Sequence, residues 1–312
     1  MKTFRLGVTT ALLAATVGHA HAQQPRSILF IGNSFTYGAG SAVHFWRANS
    51  VTDLNHEGIG GVPALFKSFA NQAGLHYDVY LETRGGSDFA FHLREKRAEI
   101  TSRKWDVVVA HSYSTLDREH PNDPTNLIAT GKELSTVLHG SNPSVEFYVT
   151  ATWSRPDMTY PDKTPWHGKP IETMGNDVDA AYRRLAKEVA GVRGVNPVGA
   201  AFNRAVASGV ADPNPYDGIE AGKLDLWTYD HYHASSYGYY LEALVVFGNV
   251  TGVDPMSLGR NECSGFELGI SSPQIVALQK VAHDALVAAG ASLGTPPANK
   301  PALRESACSA GT

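Results

Sequence analysis

The chain reads as an α/β protein built on a mostly parallel sheet, and three observations carry that reading. Short apolar runs recur along it: Ser27 to Gly32, Tyr77 to Glu82, Asp106 to Ala110, Val145 to Thr150 and Val195 to Val198. Between them lie stretches of helical periodicity, at the spacing that crossovers between parallel strands need. The composition, 312 residues with 43% hydrophobic and 18% charged, supplies enough apolar surface for a sizeable core.

Each element has a local reason. Ile28-Leu29-Phe30-Ile31 is apolar without alternation, as in a strand buried on both faces, and it stops at Gly32. Pro63 opens a segment in which Val62, Leu65, Phe66, Phe69 and Ala73 share one helical face, closed by Gly74. Further helices are expected over Thr125 to Leu138, Asn176 to Ala190, Tyr237 to Phe247 and Ser272 to Ala289. Two stretches break the alternation. Thr152 to Gly175 holds Trp153, Pro156, Pro161, Pro165, Trp166 and Pro170, too much proline for a helix or central strand, and reads as a long aromatic loop over the sheet's carboxyl edge. Ala211 to Gly222 is a second loop.

The start of the chain, Met1-Lys2-Thr3-Phe4-Arg5, then Leu6 to Val17, then Ala20-His21-Ala22, has the basic, apolar and small-residue regions of a secretory leader. The expected organisation is a leader over 1–22, one domain over 23–290 and a tail over 291–312, and the expected location is periplasmic or secreted. The apolar stretch falls short of the about 20 residues that span a bilayer. The formal net charge of −4 becomes more negative once Lys2 and Arg5 are lost, so a nucleic-acid partner is not indicated. Cys263 and Cys308 are the two cysteines; in an oxidising compartment they would tie the tail to the domain. Neither makes a CxxC or lies near a histidine, so neither a metal site nor a cofactor is expected.

Ser34 follows Gly32-Asn33 at the end of the first apolar run, where the rim of an open α/β sheet binds ligands. Far downstream stands Asp230-His231-Tyr232-His233. Serine is a poor nucleophile at neutral pH and needs a base in reach and a carboxylate to orient that base. Ser34, His233 and Asp230 supply those groups, with base and carboxylate on one turn. His231 competes for the role of base. Asn33 beside the nucleophile, with Trp153 and Trp166, are candidate substrate contacts, whereas His92, His120 and His167 read as ordinary polar residues.

This combination resembles the SGNH hydrolases, the GDSL-like esterase and lipase superfamily. Gly32-Asn33-Ser34-Phe35-Thr36 looks like the family's first block, and Asp230-x-x-His233 followed by Ser236-Tyr237-Gly238-Tyr239 looks like its last. The resemblance implies a three-layer α/β/α sandwich and ester hydrolysis through an acyl-serine. It also implies an oxyanion hole from the Ser34 N–H and a glycine after the second strand, Gly86 or its neighbour Gly85. The third block departs from the family: Gly-x-Asn-Asp is replaced by Ala110-His111-Ser112-Tyr113-Ser114. His111 becomes the candidate third donor, with the Ser112 and Ser114 hydroxyls as alternatives. The resulting expectation is an exported serine esterase, with small-molecule or glycan esters as substrates and short acyl groups removed from carbohydrate. A lipid or lysophospholipid esterase, or a carbohydrate-binding protein with weak turnover, is the alternative.

Overall fold

The five apolar runs pair side by side into one parallel sheet, to which the short strand Thr52–Asp53, unmarked by any apolar run, adds a sixth member at one edge. The computed structural model describes residues 24–297 except Asp162. The expected leader therefore lies outside the described residues, as does Cys308 of the expected Cys263–Cys308 bridge. In chain order the elements are β1 (Arg26–Gly32), α1 (Ser34–Tyr37), β2 (Thr52–Asp53), α2 (Gly61–Gln72), β3 (Tyr77–Thr83), α3 (Phe89–Glu95) and α4 (Arg97–Ile100). They continue with β4 (Val107–Ala110), α5 (Thr125–Ser141), β5 (Glu146–Ala151), α6 (Pro156–Thr159), α7 (Glu172–Glu188), β6 (Val192–Pro197) and α8 (Val198–Ala207). The last three are α9 (Ser236–Thr251), α10 (Cys263–Glu267) and α11 (Ser272–Ala288).

The strand order β2-β3-β1-β4-β5-β6 places β1 at the point where the winding reverses. The chain leaving β1 crosses to β2 on one side, while the chain leaving β4 crosses to β5 on the other, so their loops part above the carboxyl ends of β1 and β4 and open a crevice there. That crevice begins at Gly32. Because side chains alternate along a strand, Ile28 and Phe30 enter one apolar cluster with α2, α8, α9 and α11, while Leu29 and Ile31 enter a second with α3, α5 and α7. Both faces are thus covered, giving the three-layer α/β/α sandwich and explaining why β1 reads as an unbroken apolar run.

The chain after α11 stays attached for a few residues: Gly294 pairs with Val253, its N–H donating to Gly252 O at 2.8 Å. The stretch 152–175 is less loop-like than its prolines suggest. Pro156 opens α6, and α7 starts at Glu172, four residues before the expected helix.

Candidate active site

The turn that presents Ser34 is set by its neighbours. A Cβ on Gly32 would lie 2.2 Å from Thr36 Oγ1 and 2.7 Å from His111 Nε2, so only glycine lets the chain bend here. Asn33 is the N-cap of α1: its Oδ1 accepts from Phe35 N at 3.1 Å. Its Nδ2 donates to Ser87 O at 3.0 Å and Ser112 O at 3.2 Å, tying together the loops that follow β3 and β4. With its amide fully used and 4% of its surface exposed, Asn33 is a structural tie rather than the expected substrate contact.

The Asp230–His233 turn is closed by Thr228 N–H donating to His233 O at 2.8 Å and by the bridge between Trp227 and Ala234. His231 takes a left-handed φ of 54° inside it, which points its ring away from His233 and against Tyr216. His233 Nδ1 donates to Asp230 Oδ2 at 2.6 Å. The other oxygen, Oδ1, accepts from Thr228 Oγ1 at 2.7 Å, His233 N at 2.9 Å and Tyr232 N at 3.0 Å. Partial burial acts to raise the Asp230 pKa, but these hydrogen bonds outweigh it and hold the carboxyl well below its usual range. An ionised Asp230 keeps the proton on Nδ1. His233 Nε2 is then the basic nitrogen, and among the described residues it is buried with no hydrogen-bond partner.

Two aromatic side chains connect the halves of the site. Tyr239, on the helix after His233, places its hydroxyl 3.1 Å from Ser34 O and 3.2 Å from Ala39 O. Trp153 stacks on Phe35 at 4.1 Å between ring centroids and donates from Nε1 to Tyr232 O at 3.2 Å. It is therefore a spacer between the residue after Ser34 and the residue before His233. Being 0% exposed, it offers no ring face to a substrate. Trp166 is likewise 0% exposed, with Nε1 donating to Asp177 at 2.8 Å. Both tryptophans are corrections to the expected contacts: apolar rings near the end of a buried sheet go into the core.

Beyond β3, Arg84 N–H donates to Gly32 O at 3.0 Å, which brings the Gly85-Gly86 turn beside Ser34. Gly86 has a left-handed φ of 65° and open space where a Cβ would be, so the glycine answers a backbone need rather than a crowding one. Ser34 N–H is the first of α1 and has no preceding helical turn to donate to.

His111 is not the donor expected from the third block. Its ring is 3% exposed, with Nδ1 donating to Ser112 O at 3.0 Å and Nε2 receiving Thr36 Oγ1 at 2.7 Å. Burial lowers its pKa to about 4, so at neutral pH the ring has one N–H, and that one is used. Of the alternatives, Ser112 is wholly buried. Ser114 Oγ accepts from Arg155 Nη1 at 3.2 Å, which leaves its own proton available.

A second serine–histidine–carboxylate array lies behind the Gly85-Gly86 turn. Ser87 Oγ is 2.9 Å from His92 Nε2, and His92 Nδ1 donates to Glu82 Oε2. Ser87 Oγ also lies 2.7 Å from Arg84 O and 3.3 Å from Gly32 O. His92, 0% exposed, is thus not the ordinary polar residue expected. Nothing in its spacing from Glu82 or Ser87 announces the pairing, which arises only where β3, the turn and α3 converge.

Among the described residues no group of three or more His, Cys, Asp or Glu is arranged to hold a metal ion, and no helix is long and apolar enough to cross a membrane. A cavity of about 660 Å³ lies elsewhere, between α7, α8 and α11, and its lining includes no histidine and shares no residue with this site.

No protein-family model matches the chain, and no curated protein matches it. Solved structures do. A "putative SGNH hydrolase" from Slackia heliotrinireducens is 20% identical with a TM-score of 0.50, covering 73% of this chain and 100% of its own. A "putative GDSL-like lipase" from Parabacteroides merdae is 18% identical with a TM-score of 0.52, covering 73% and 96%. An acetyl xylan esterase is 16% identical with a TM-score of 0.50, covering 72% and 99%. The chain has the α/β fold that these structures share.

Proposed function

We propose that the protein is a serine esterase in which Ser34 attacks the ester carbonyl, His233 Nε2 takes the serine proton and returns it to the leaving alcohol, and Asp230 orients His233. The observation that carries this reading is the Asp230–His233 pair, with Nδ1 committed at 2.6 Å and Nε2 bare, on a segment tied through Tyr239 to the carbonyl of the strand-end Ser34 and through Trp153 to the ring of Phe35. Hydrogen bonds between base and nucleophile commonly tighten when substrate fills such a site. The tetrahedral oxyanion would be held by the N–H groups of Ser34 and Gly86, which need only backbone to approach it. Water then attacks the acyl-serine, with His233 again as base, and releases the acid.

The preferred acyl group is short and the alcohol a carbohydrate. This finer reading is supported by the fold shared with an acetyl xylan esterase and by the leader-like residues 1–22, which fit an exported enzyme working in the periplasm or outside the cell. The test is hydrolysis of p-nitrophenyl acetate, butyrate and octanoate by the wild type and by Ser34→Ala. Turnover should fall with chain length and vanish in the variant; full activity in Ser34→Ala would refute the assignment.

A further inference from the structure

The buried tryptophans leave open which groups would meet a sugar, and the rim of the crevice supplies them. On one lip, Phe45 is 66% exposed and lies flat on His44, with centroids 4.1 Å apart and planes 7° from parallel. His44 stacks in turn on Tyr37, at 4.9 Å and 25°. Tyr37 is the last residue of α1, the helix that starts at Ser34, and its hydroxyl would lie 2.9 Å from a Cβ placed on Gly85. The stack of Tyr37, His44 and Phe45 therefore starts at the glycine turn beside the nucleophile and runs outward to a bare ring.

On the other lip, Tyr229 is 86% exposed and directly precedes Asp230. Tyr216 is 48% exposed and packs on His231 at 4.2 Å, inside the turn that carries His233. Tyr160 backs Tyr216 at 6.0 Å and donates its hydroxyl to Pro213 O at 2.9 Å, anchoring the loop that holds Tyr216.

A single exposed ring needs no explanation, but aromatic side chains grouped next to a candidate site mark a surface for a ligand. An acyl chain asks for a concave, enclosed apolar pocket. Phe45, Tyr216 and Tyr229 instead present exposed rings, one at the end of a stack that begins on the helix of Ser34 and two on or beside the turn that carries His233. A pyranose has the matching shape, a flat C–H face with hydroxyls around its edge.

We infer that the Phe45-His44-Tyr37 stack and the Tyr216-Tyr229 lip are sugar-stacking subsites that seat an oligosaccharide across the crevice, with the ester of a central residue at Ser34. This rests on Ser34 being the esterase nucleophile. The stacking residues are specificity determinants remote from the reacting atoms, so they act on binding of the glycan and not on the chemistry of a small ester.

The experiment compares wild type, Phe45→Ala, Tyr229→Ala and the double variant on two substrates, p-nitrophenyl acetate and a partly O-acetylated β-1,4-linked hexasaccharide. Each single variant should raise KM for the hexasaccharide by roughly three- to tenfold, as loss of one aromatic contact does, and leave kcat/KM on p-nitrophenyl acetate within about twofold. In parallel, Ser34→Ala should bind the deacetylated hexasaccharide by calorimetry, and Ser34→Ala with Phe45→Ala should bind it more weakly. Equal kinetics of variants and wild type on the hexasaccharide would overturn the inference. So would parallel losses on both substrates, or turnover of p-nitrophenyl acetate with none of the hexasaccharide. Phe45-dependent binding to phosphatidylcholine vesicles without glycan binding would overturn it in favour of a lipid surface. Absence of hydrolysis of either substrate by the wild type, with glycan binding retained, would instead refute the esterase reading.

Discussion

Two sets of serine, histidine and carboxylate stand beyond the carboxyl ends of β1 and β3, and they are built to opposite ends. In the first, the His233 side chain is 15% and the Asp230 side chain 30% exposed, and His233 Nε2 has no partner among the described residues. In the second, Ser87 is 3% exposed, His92 and Glu82 are 0% exposed, and His92 Nε2 is met by Ser87 Oγ at 2.9 Å. The residue types are the same; the exposure of the histidine and carboxylate and the unspent nitrogen differ. Ser34 and Ser87 are both buried, at 5% and 3%, but the Ser87 hydroxyl is taken up by His92 Nε2 and lies near the carbonyl oxygens of Arg84 and Gly32, an arrangement that fixes the turn carrying Gly86. The inner array thus shapes the loop, and the outer one is the array proposed to carry out the chemistry.

The sharpest way to break this division is to remove each serine in turn. Ser34→Ala should lower kcat/KM on p-nitrophenyl acetate by roughly 10⁴-fold or more while thermal unfolding stays nearly unchanged. Ser87→Ala should show the inverse pattern: an unpaired buried imidazole nitrogen costs about 1–3 kcal/mol of stability, read from urea unfolding, and most activity survives. Comparable inactivation by both substitutions would erase the distinction. Next in size, Asp230→Asn exchanges an acceptor for an amide and favours the wrong tautomer of His233, so kcat should drop by about 10³- to 10⁴-fold in steady-state assays. Gly86→Ala tests the link between the two arrays. A side chain at φ 65° is strained, and moving this N–H should cost about 10²-fold in kcat with KM little altered.

The smallest effect concerns pH. His111 is held at a pKa of about 4 when folded, below its unfolded value, so the unfolded chain binds the extra proton first. Stability is therefore full above about pH 6.5 and falls as pH drops, by about 2 kcal/mol between pH 6.5 and 5 from this group. His111→Gln should flatten that part of the denaturation profile; an unchanged slope would show that the ring is not the source.

What could be read in advance follows the same division. β1 was legible because burial on both faces leaves an unbroken apolar run, and Asp230 and His233 because one turn holds them three residues apart. β6 was misplaced, expected over Val195 to Val198 and found over Val192–Pro197, because an edge strand with Arg193, Gly194 and Asn196 has little apolar pattern. α8 went unseen since it starts at Val198 with no loop after the strand. Trp153 and Trp166 read as substrate contacts because a proline-rich aromatic stretch looks like a loop over the sheet's edge, while their rings turn into the two cores. The Glu82-His92-Ser87 array needs a strand, a turn and a helix to converge, and local sequence carries no trace of that.

The measurement that bears most directly on the two arrays is a peptide map after reaction of the native protein with a fluorophosphonate. Trypsin separates the serines, Ser34 in the peptide from Ser27 to Arg47 and Ser87 in the peptide from Gly85 to Arg94. The label should appear on Ser34 alone and be abolished by Ser34→Ala. Label on Ser87, or none on Ser34, would contradict the assignment of nucleophile and scaffold made above.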